Sequence, residues 1–245
     1  MKEQISQLGA AAETWDAQRV INWAFLTFGD EVAISTALGS GGMVVIDMAS
    51  KVRHTFRVFT LDTKFLFPET YNLIHRVEQK YGIKIEKVDS PISPEEQERV
   101  HGPELWLREP DKCCNMRKVE PLRRKLDELQ AWISSIRRDQ TAERASTSKI
   151  EWDEKFGLVK INPLADWSYS QVWQYIRDHE TPYNSLHDLN YPSIGCTHCT
   201  RAVLPGEDER AGRWSGLSKT ECGLHVIRPP ANLPAAEEPA NGKDS

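Results

Sequence analysis

The chain has 245 residues, 39% hydrophobic and 27% charged, with a formal net charge of −5, the balance of a globular protein with room for one large domain and an appended lobe. The negative charge argues against whole-chain attraction for nucleic acid, so an anion site must come from locally concentrated Arg and Lys. No apolar run approaches the roughly 20 residues of a membrane span, and the opening MKEQISQLGAAAETWDAQ lacks the basic-then-apolar order of a secretory signal, so a cytoplasmic, thiol-reducing setting is expected.

Trp15, Val20, Trp23, Ala24 and Leu26 are spaced as one face of an amphipathic helix over 11–28. Residues 32–37 form a short apolar run that predicts a buried strand. Gly39-Ser40-Gly41-Gly42 then makes a turn, and 43–49 reads as the next helix. FRVFTLDT predicts a second strand. PETYNLIHRVEQKYG predicts a helix, with Pro68 near its start and Gly82 just past its end. IKIEKVD alternates as a third strand, 91–102 is a connector with one short helix, AWISSI is a fourth strand and LVKINPL a fifth. Val172, Trp173 and Ile176 share a face of a helix over 168–179. Strands alternating with helices predict right-handed βαβ units and an α/β fold, a parallel sheet with flanking helices. Residues 183–225 are rich in Gly, Pro, Cys and Arg and have little periodicity, so something other than an apolar core must order them. Residues 226–245 are rich in Pro, Ala and Glu and are expected to be disordered.

Four groups of residues are candidates for chemistry. The first is the glycine turn after the first strand, where backbone N–H groups and a helix N-terminus can receive phosphate. It matches neither the Walker nor the dinucleotide fingerprint, and a plain βα turn explains it equally well. The second is Cys113-Cys114 together with Cys196-Thr197-His198-Cys199. One C-x-x-C could be a redox pair. Two close-set pairs shift weight to a metal centre, with zinc and iron–sulfur both open. If 113–120 is helical, Cys114 and Lys118 share a face, and Pro121 either kinks that helix or starts a new one. The third is a set of cations in an acidic chain: Lys118, Arg137, Arg138, Arg144, Arg201, Arg210, Arg213 and Lys219. Arginine forks suit phosphate and sulfate. The fourth is KTECGLH, in which the fifth cysteine, Cys222, is expected to be accessible, with Lys219 and His225 placed to lower its pKa.

The combination LDT…FPETY, CCNMRKVEPL, RRDQTAER, KINPLADWS, PYNSLHDLNYPSIGCTHCTRAVLPGEDERAGRW and KTECGLH resembles the assimilatory adenylylsulfate reductase family, the cluster-containing relatives of phosphoadenylylsulfate reductase. The likeness runs from about Thr14 to His225. It implies an adenine-nucleotide hydrolase-like (Rossmann-like) nucleotide-binding domain over 1–182 that carries the Cys113-Cys114 half of a [4Fe–4S] site. It also implies a cluster-binding and catalytic segment over 183–225. Cys113, Cys114, Cys196 and Cys199 would bind the cluster. Cys222 would attack the sulfur of adenylylsulfate, release AMP and carry the sulfonate as S-sulfocysteine, and thioredoxin or glutaredoxin would release sulfite. Lys118, Arg144, Arg210 and Arg213 would hold the phosphosulfate, His225 would line the substrate site, and Ser35, Leu61 and Thr63 would lie at the nucleotide end. A homo-oligomer associating through the α/β surfaces is also expected. A reductase for the 3′-phosphorylated substrate and a non-catalytic four-cysteine sensor are the alternatives. The chain departs from the family pattern at Leu38 and Gly41, where an aromatic and an acid are usual. It departs again at Lys64 and Ser135, where glycine is usual, and at Ser215-Gly216-Leu217, where further tryptophans are usual.

Overall fold

The computed structural model describes residues 2–217, 219 and 221–225; the tail expected to be disordered, 226–245, lies outside the described residues. Two N-terminal helices, α1 (Lys2–Ala12) and α2 (Ala17–Phe28), precede β1 (Val32–Ser35). Then come α3 (Ser40–Val52), β2 (Arg57–Asp62), α4 (Pro68–Tyr81), β3 (Ile85–Asp89), α5 (Pro94–His101), α6 (Leu105–Arg108) and α7 (Pro110–Cys114). A π turn at Asn115–Val119 leads from α7 into α8 (Glu120–Leu126), and the chain continues through β4 (Ala131–Ile133), β5 (Ile150–Asp153), β6 (Leu158–Ile161) and α9 (Tyr169–Asp178).

The six strands form one sheet in the order β3-β2-β1-β4-β6-β5. All neighbours are parallel except the edge strand β5, which runs antiparallel to β6. The expected α/β architecture stands with this amendment. LVKINPL supplies the sixth strand, because β5 at IEWD was not anticipated: only its two ends are buried, so its residues do not alternate. Helix α1 was also not anticipated; only Ile5, Gly9 and Ala12 are buried along its 11 residues, a stripe too thin to show as periodicity. The first predicted helix begins six residues late, at Ala17, because the Asp16 side chain accepts from the N–H of Arg19 and caps it. Gly82 closes α4 at φ 64°, as its position suggested.

The core shared by both sheet faces and their helices includes Ile34, Ile46, Leu73, Ile133, Ile161 and Val172. A smaller cluster of Ala33, Phe59, Leu122, Leu126 and Trp132 sits beneath α8. Chain order reverses between β1 and β4, which therefore flank a crevice at their carboxyl ends, where such sheets place ligands. Pro121 stands in the first turn of α8, where its missing N–H costs little, directly after the π turn that joins α7 to α8, so it starts a new helix, one of the two outcomes expected.

Candidate active site

A cavity of about 220 Å³ opens at that crevice. Its floor is the backbone just past β1 (Thr36, Ala37, Gly39, Ser40) and just past β4 (Ser134, Ser135, Ile136). Ser134 Oγ donates to Asn162 Oδ1 at 2.6 Å, tying the β4 end to the β6 end. Leu38 is fully buried at φ 58°, and the N–H of Leu38 donates to Thr36 Oγ1 at 2.9 Å. The aromatic usual at this position is thus replaced by an apolar side chain that still turns into the core. Gly41 and Ser135, two other departures, face each other. A Cβ on residue 41 would stand 3.3 Å from the Ser135 carbonyl oxygen and 3.4 Å from its Cβ, so the glycine gained at 41 makes room for the serine at 135. Lys64, in place of glycine, holds a left-handed φ of 60°. Its N–H and its ammonium both donate to Asp62, at 2.9 and 3.1 Å, which favours the conformation glycine would have adopted freely. Those bonds, with one from Tyr71, outweigh burial and hold the Asp62 carboxyl below the usual range.

Every residue assigned to substrate borders this cavity: Ser35, Leu61, Thr63, Lys118, Arg144, Arg210, Arg213 and His225, together with Cys222 and Cys196. Of the remaining cations, Arg137 also lines it, held by Asp139. The others point elsewhere: Arg138 to Glu13, Arg201 to Glu207, and Lys219 to Asp111. Lys118 is buried. Burial opposes its charge, but the sulfurs of Cys196, Cys222 and Cys114 outweigh that and move its pKa upward. The Arg213 guanidinium packs against the bare Cα of Gly195, where any Cβ would collide with it. It also donates to Ser193 Oγ and lies 4.6 Å from the Trp214 ring.

Two expectations about Cys222 need correction. The thiol is half-buried against the cavity wall instead of free in solvent. Lys219 is turned to Asp111, and His225 is partly buried at the cavity edge, its ring parallel to Trp132 at 5.8 Å. Burial, and then the positive field of Lys160, Arg144, Arg210 and Lys155, keep His225 neutral far below the usual imidazole pKa. It therefore brings no cationic charge to the thiol. The residue not singled out from the sequence is Glu221, next to Cys222 in KTECGLH, which forms a two-bond fork with Arg144 at 2.8 Å each. Gln140, inside RRDQ, supports Arg144 from the other side at 2.6 Å.

Behind Lys118, Cys113, Cys114, Cys196 and Cys199 ring a second, small apolar cavity closed by Phe65, Trp106 and His198. The Trp106 and His198 rings stack at 4.1 Å. The loop after β2 packs against the C-x-x-C at 196–199: Thr197 N–H donates to Phe65 O at 2.8 Å, and Thr63 Oγ1 lies 3.3 Å from Cys196 Sγ. Burial and then the neighbouring sulfurs push the Cys113 thiol up to about 12 and Cys199 to about 11. Among the described residues, no three His, Cys, Asp or Glu side chains are spaced to hold a metal ion, and all four cysteines line this one space. Arg117 borders the same cavity, fully buried, with Nε on Gln97 and Nη1 on Ile92 O, while Nη2 has no hydrogen-bond partner.

The family model described as the phosphoadenosine phosphosulfate reductase domain matches residues 31–202. This chain belongs to the phosphoadenosine phosphosulfate reductase family. Within that family it is 49% identical over 222 residues to the adenosine 5′-phosphosulfate reductase of Halalkalibacterium halodurans, covering 90% of this chain and 96% of the relative. It is 45% identical to adenosine 5′-phosphosulfate reductase 2 of Bacillus subtilis, covering 86% and 89%. The crystal structure of the phosphoadenylyl-sulfate reductase of Candida auris in a phosphate complex superposes with a TM-score of 0.71 at 35% identity, covering 82% of this chain and 98% of that one. The FMN adenylyltransferase of Candida glabrata shares the fold alone, at 14% identity and a TM-score of 0.56, covering 89% of this chain and 77% of that one. No helix among the described residues is long and apolar enough to cross a membrane.

Proposed function

We propose that this protein reduces adenylylsulfate to sulfite and AMP in sulfate assimilation, with Cys222 as nucleophile. The observation that carries the reading is the convergence of Cys222, Lys118, Arg144, Arg210 and Arg213 on one cavity whose floor is the β1–β4 switch point. The names of the relatives favour adenylylsulfate over its 3′-phosphorylated analogue.

In this reading the adenosine lies along the turns after β1 and β4, and the phosphosulfate lies among the cations. The Cys222 thiolate attacks the sulfur. An S–S bond forms, the S–O bond to phosphate breaks, and AMP leaves with the electron pair. The arginines and Lys118 act where that charge builds, in a partly desolvated site. A dithiol reductant, thioredoxin or glutaredoxin, then attacks Cys222 Sγ of the S-sulfocysteine and expels sulfite. Its second thiol frees Cys222, so the dithiol is oxidised by two electrons as the sulfur is reduced. The expected setting is the cytoplasm, where such dithiols are kept reduced.

Cys113, Cys114, Cys196 and Cys199 fit a [4Fe–4S] cluster. All four cysteines line one small apolar space, and four thiolates in two close-set pairs are the donor set of such a cluster. Arg117 Nη2, buried beside the same space with no hydrogen-bond partner, offers positive charge to an anionic centre. When bound, the cluster would supply a compact charged wall against which Lys118 is held.

The test is anaerobic incubation of reduced, cluster-loaded protein with adenylylsulfate, and separately with its 3′-phosphorylated analogue, without reductant, followed by peptide mass spectrometry. A sulfonate on Cys222 that thioredoxin discharges as sulfite is expected from adenylylsulfate. No adduct from either nucleotide, with the cluster intact, would reduce the protein to a binding relative.

A further inference from the structure

Glu221 is 7% exposed at its side chain, and its two oxygens span two arginines, Arg144 at 2.8 Å and Arg210 at 3.4 Å. Both arginines border the cavity, and so does Glu221 itself. A carboxylate presents to a guanidinium fork the same pair of oxygens that a phosphate or sulfate presents. We infer that Glu221 is a built-in competitor of the substrate, which occupies the arginine pair until an anionic phosphosulfate displaces it. The inference rests on the adenylylsulfate reading proposed above.

Charge explains why a carboxylate should sit there. Lys118, Arg144, Arg210 and Arg213 would otherwise crowd four cations around one half-enclosed space, and burial already lowers the Arg210 pKa. Removing one partner of such a buried pair leaves an uncompensated charge, so the empty site is most stable with Glu221 in it. The substrate brings charge of its own and makes Glu221 redundant.

Covalent connection gives the exchange a consequence. Glu221 is joined directly to Cys222, and among the described residues the segment's other anchors are Lys155 Nζ on Gly223 O, Lys219 on Asp111, Leu224 against the Leu122–Trp132 cluster and His225 on Trp132. Displacing Glu221 loosens the segment that carries the nucleophile at the moment the sulfur arrives. By linkage, the factor by which anion weakens docking of 219–225 equals the factor by which docking weakens anion binding. Glu221 is thus a positioning residue that couples substrate arrival to the freedom of the Cys222 thiol.

The experiment compares full-length Cys222→Ser with Cys222→Ser/Glu221→Gln, both cluster-loaded, by hydrogen–deuterium exchange. Inorganic sulfate and, separately, adenylylsulfate are titrated. The peptide covering 219–225 reports docking, the peptide carrying Arg144 reports anion binding, and the β1 and β4 peptides report the fold. With Glu221 present, either anion is expected to speed exchange of 219–225 to a plateau. With Gln, exchange is already fast without anion, and both anions bind roughly tenfold more tightly, the worth of one lost charge-assisted competitor. Fast exchange without tighter anion binding would make Glu221 a structural tether only and overturn the proposal; so would protection of 219–225 that no anion relieves. A response to sulfate with none to adenylylsulfate would support the competitor and overturn the substrate assignment.

Discussion

Along β1, β4 and β6, Ile34, Ile133 and Ile161 are each no more than 1% exposed, in a core that extends across the whole sheet. Among the described residues between 183 and 225, by contrast, the buried hydrophobic ones are only Leu186, Ile194, Cys196 and Trp214. Individual polar contacts order that region. Arg201 and Glu207 form a two-bond pair at 2.8 and 2.9 Å, Thr200 bridges Arg213, and the Arg144–Glu221 fork pins the end. The comparison teaches where each kind of order is useful. Non-directional apolar packing holds the sheet whatever ligand is present, whereas a region held by charge pairs can be rearranged by a charged ligand.

The sharpest way to break this division is to exchange the consequences. Cys222→Ser, in the segment, is expected to lower adenylylsulfate turnover by a factor on the order of 10⁴ or more, with the thermal midpoint of the body unchanged. Steady-state sulfite release and a melting curve on the same preparation check it. Leu122→Ala, on α8, is the converse. Leu122 is fully buried against Ala33, Phe59 and Trp132. Its truncation should cost about 2–5 kcal/mol of stability, read as a lower denaturation midpoint, while folded protein still forms the Cys222 sulfonate. A large loss of adduct in the folded fraction would mean that α8 packing and the segment are not separable.

The same division explains what could be read from the chain. The α/β body was legible because Val32–Ser35 and Arg57–Asp62 are short continuous buried runs and Pro68–Tyr81 carries its buried residues at helical spacing. Strand β5 escaped because an edge strand needs only a half-pattern, and Ile150–Asp153 has just its two ends buried. The site was legible by residue identity: both cysteine pairs, Cys222 and the three arginines are distinctive in kind, and all of them border one of two adjoining cavities. Glu221 was not legible, because a glutamate has no chemical signature until its partners are known, and Arg144 is 77 residues away in sequence. His225 was misjudged as a possible cation for a similar reason, since only the fold puts Lys160, Lys155 and Trp132 around it.

Acid should loosen the segment before it unfolds the sheet. His225 is kept neutral in the docked state, its pKa far below normal, by burial and by Lys160, Arg144, Arg210 and Lys155. Once released into water it titrates near the ordinary value of about 6.5. The docked pKa is the depressed one, so this contribution is fully present above about pH 6.5 and is lost as pH falls below it, by roughly tenfold per unit for one proton. Exchange of 219–225, corrected for its intrinsic pH dependence, should follow that slope, and His225→Gln should flatten it. A slope that survives the substitution would place the titration elsewhere.

The smallest expected effect lies in the body and tests whether its local signals act independently of the segment. Ser168 starts α9: its hydroxyl accepts from the N–H of Gln171 at 3.2 Å, and the Gln171 side chain accepts from the N–H of Ser168 at 2.7 Å. This reciprocal pair satisfies two N–H groups that the first turn leaves open. Ser168→Ala removes one bond and leaves the buried face of Val172 and Ile176 in place. The expected cost is about 1 kcal/mol, seen as a small drop in denaturation midpoint with an unchanged slope. Exchange of 219–225 and the anion affinity should both stay as in the parent, because the cap fixes only the start of α9 while its buried face stays packed on α3. A shift in either would mean that the two regions are coupled through the sheet and that the division by kinds of contact is incomplete.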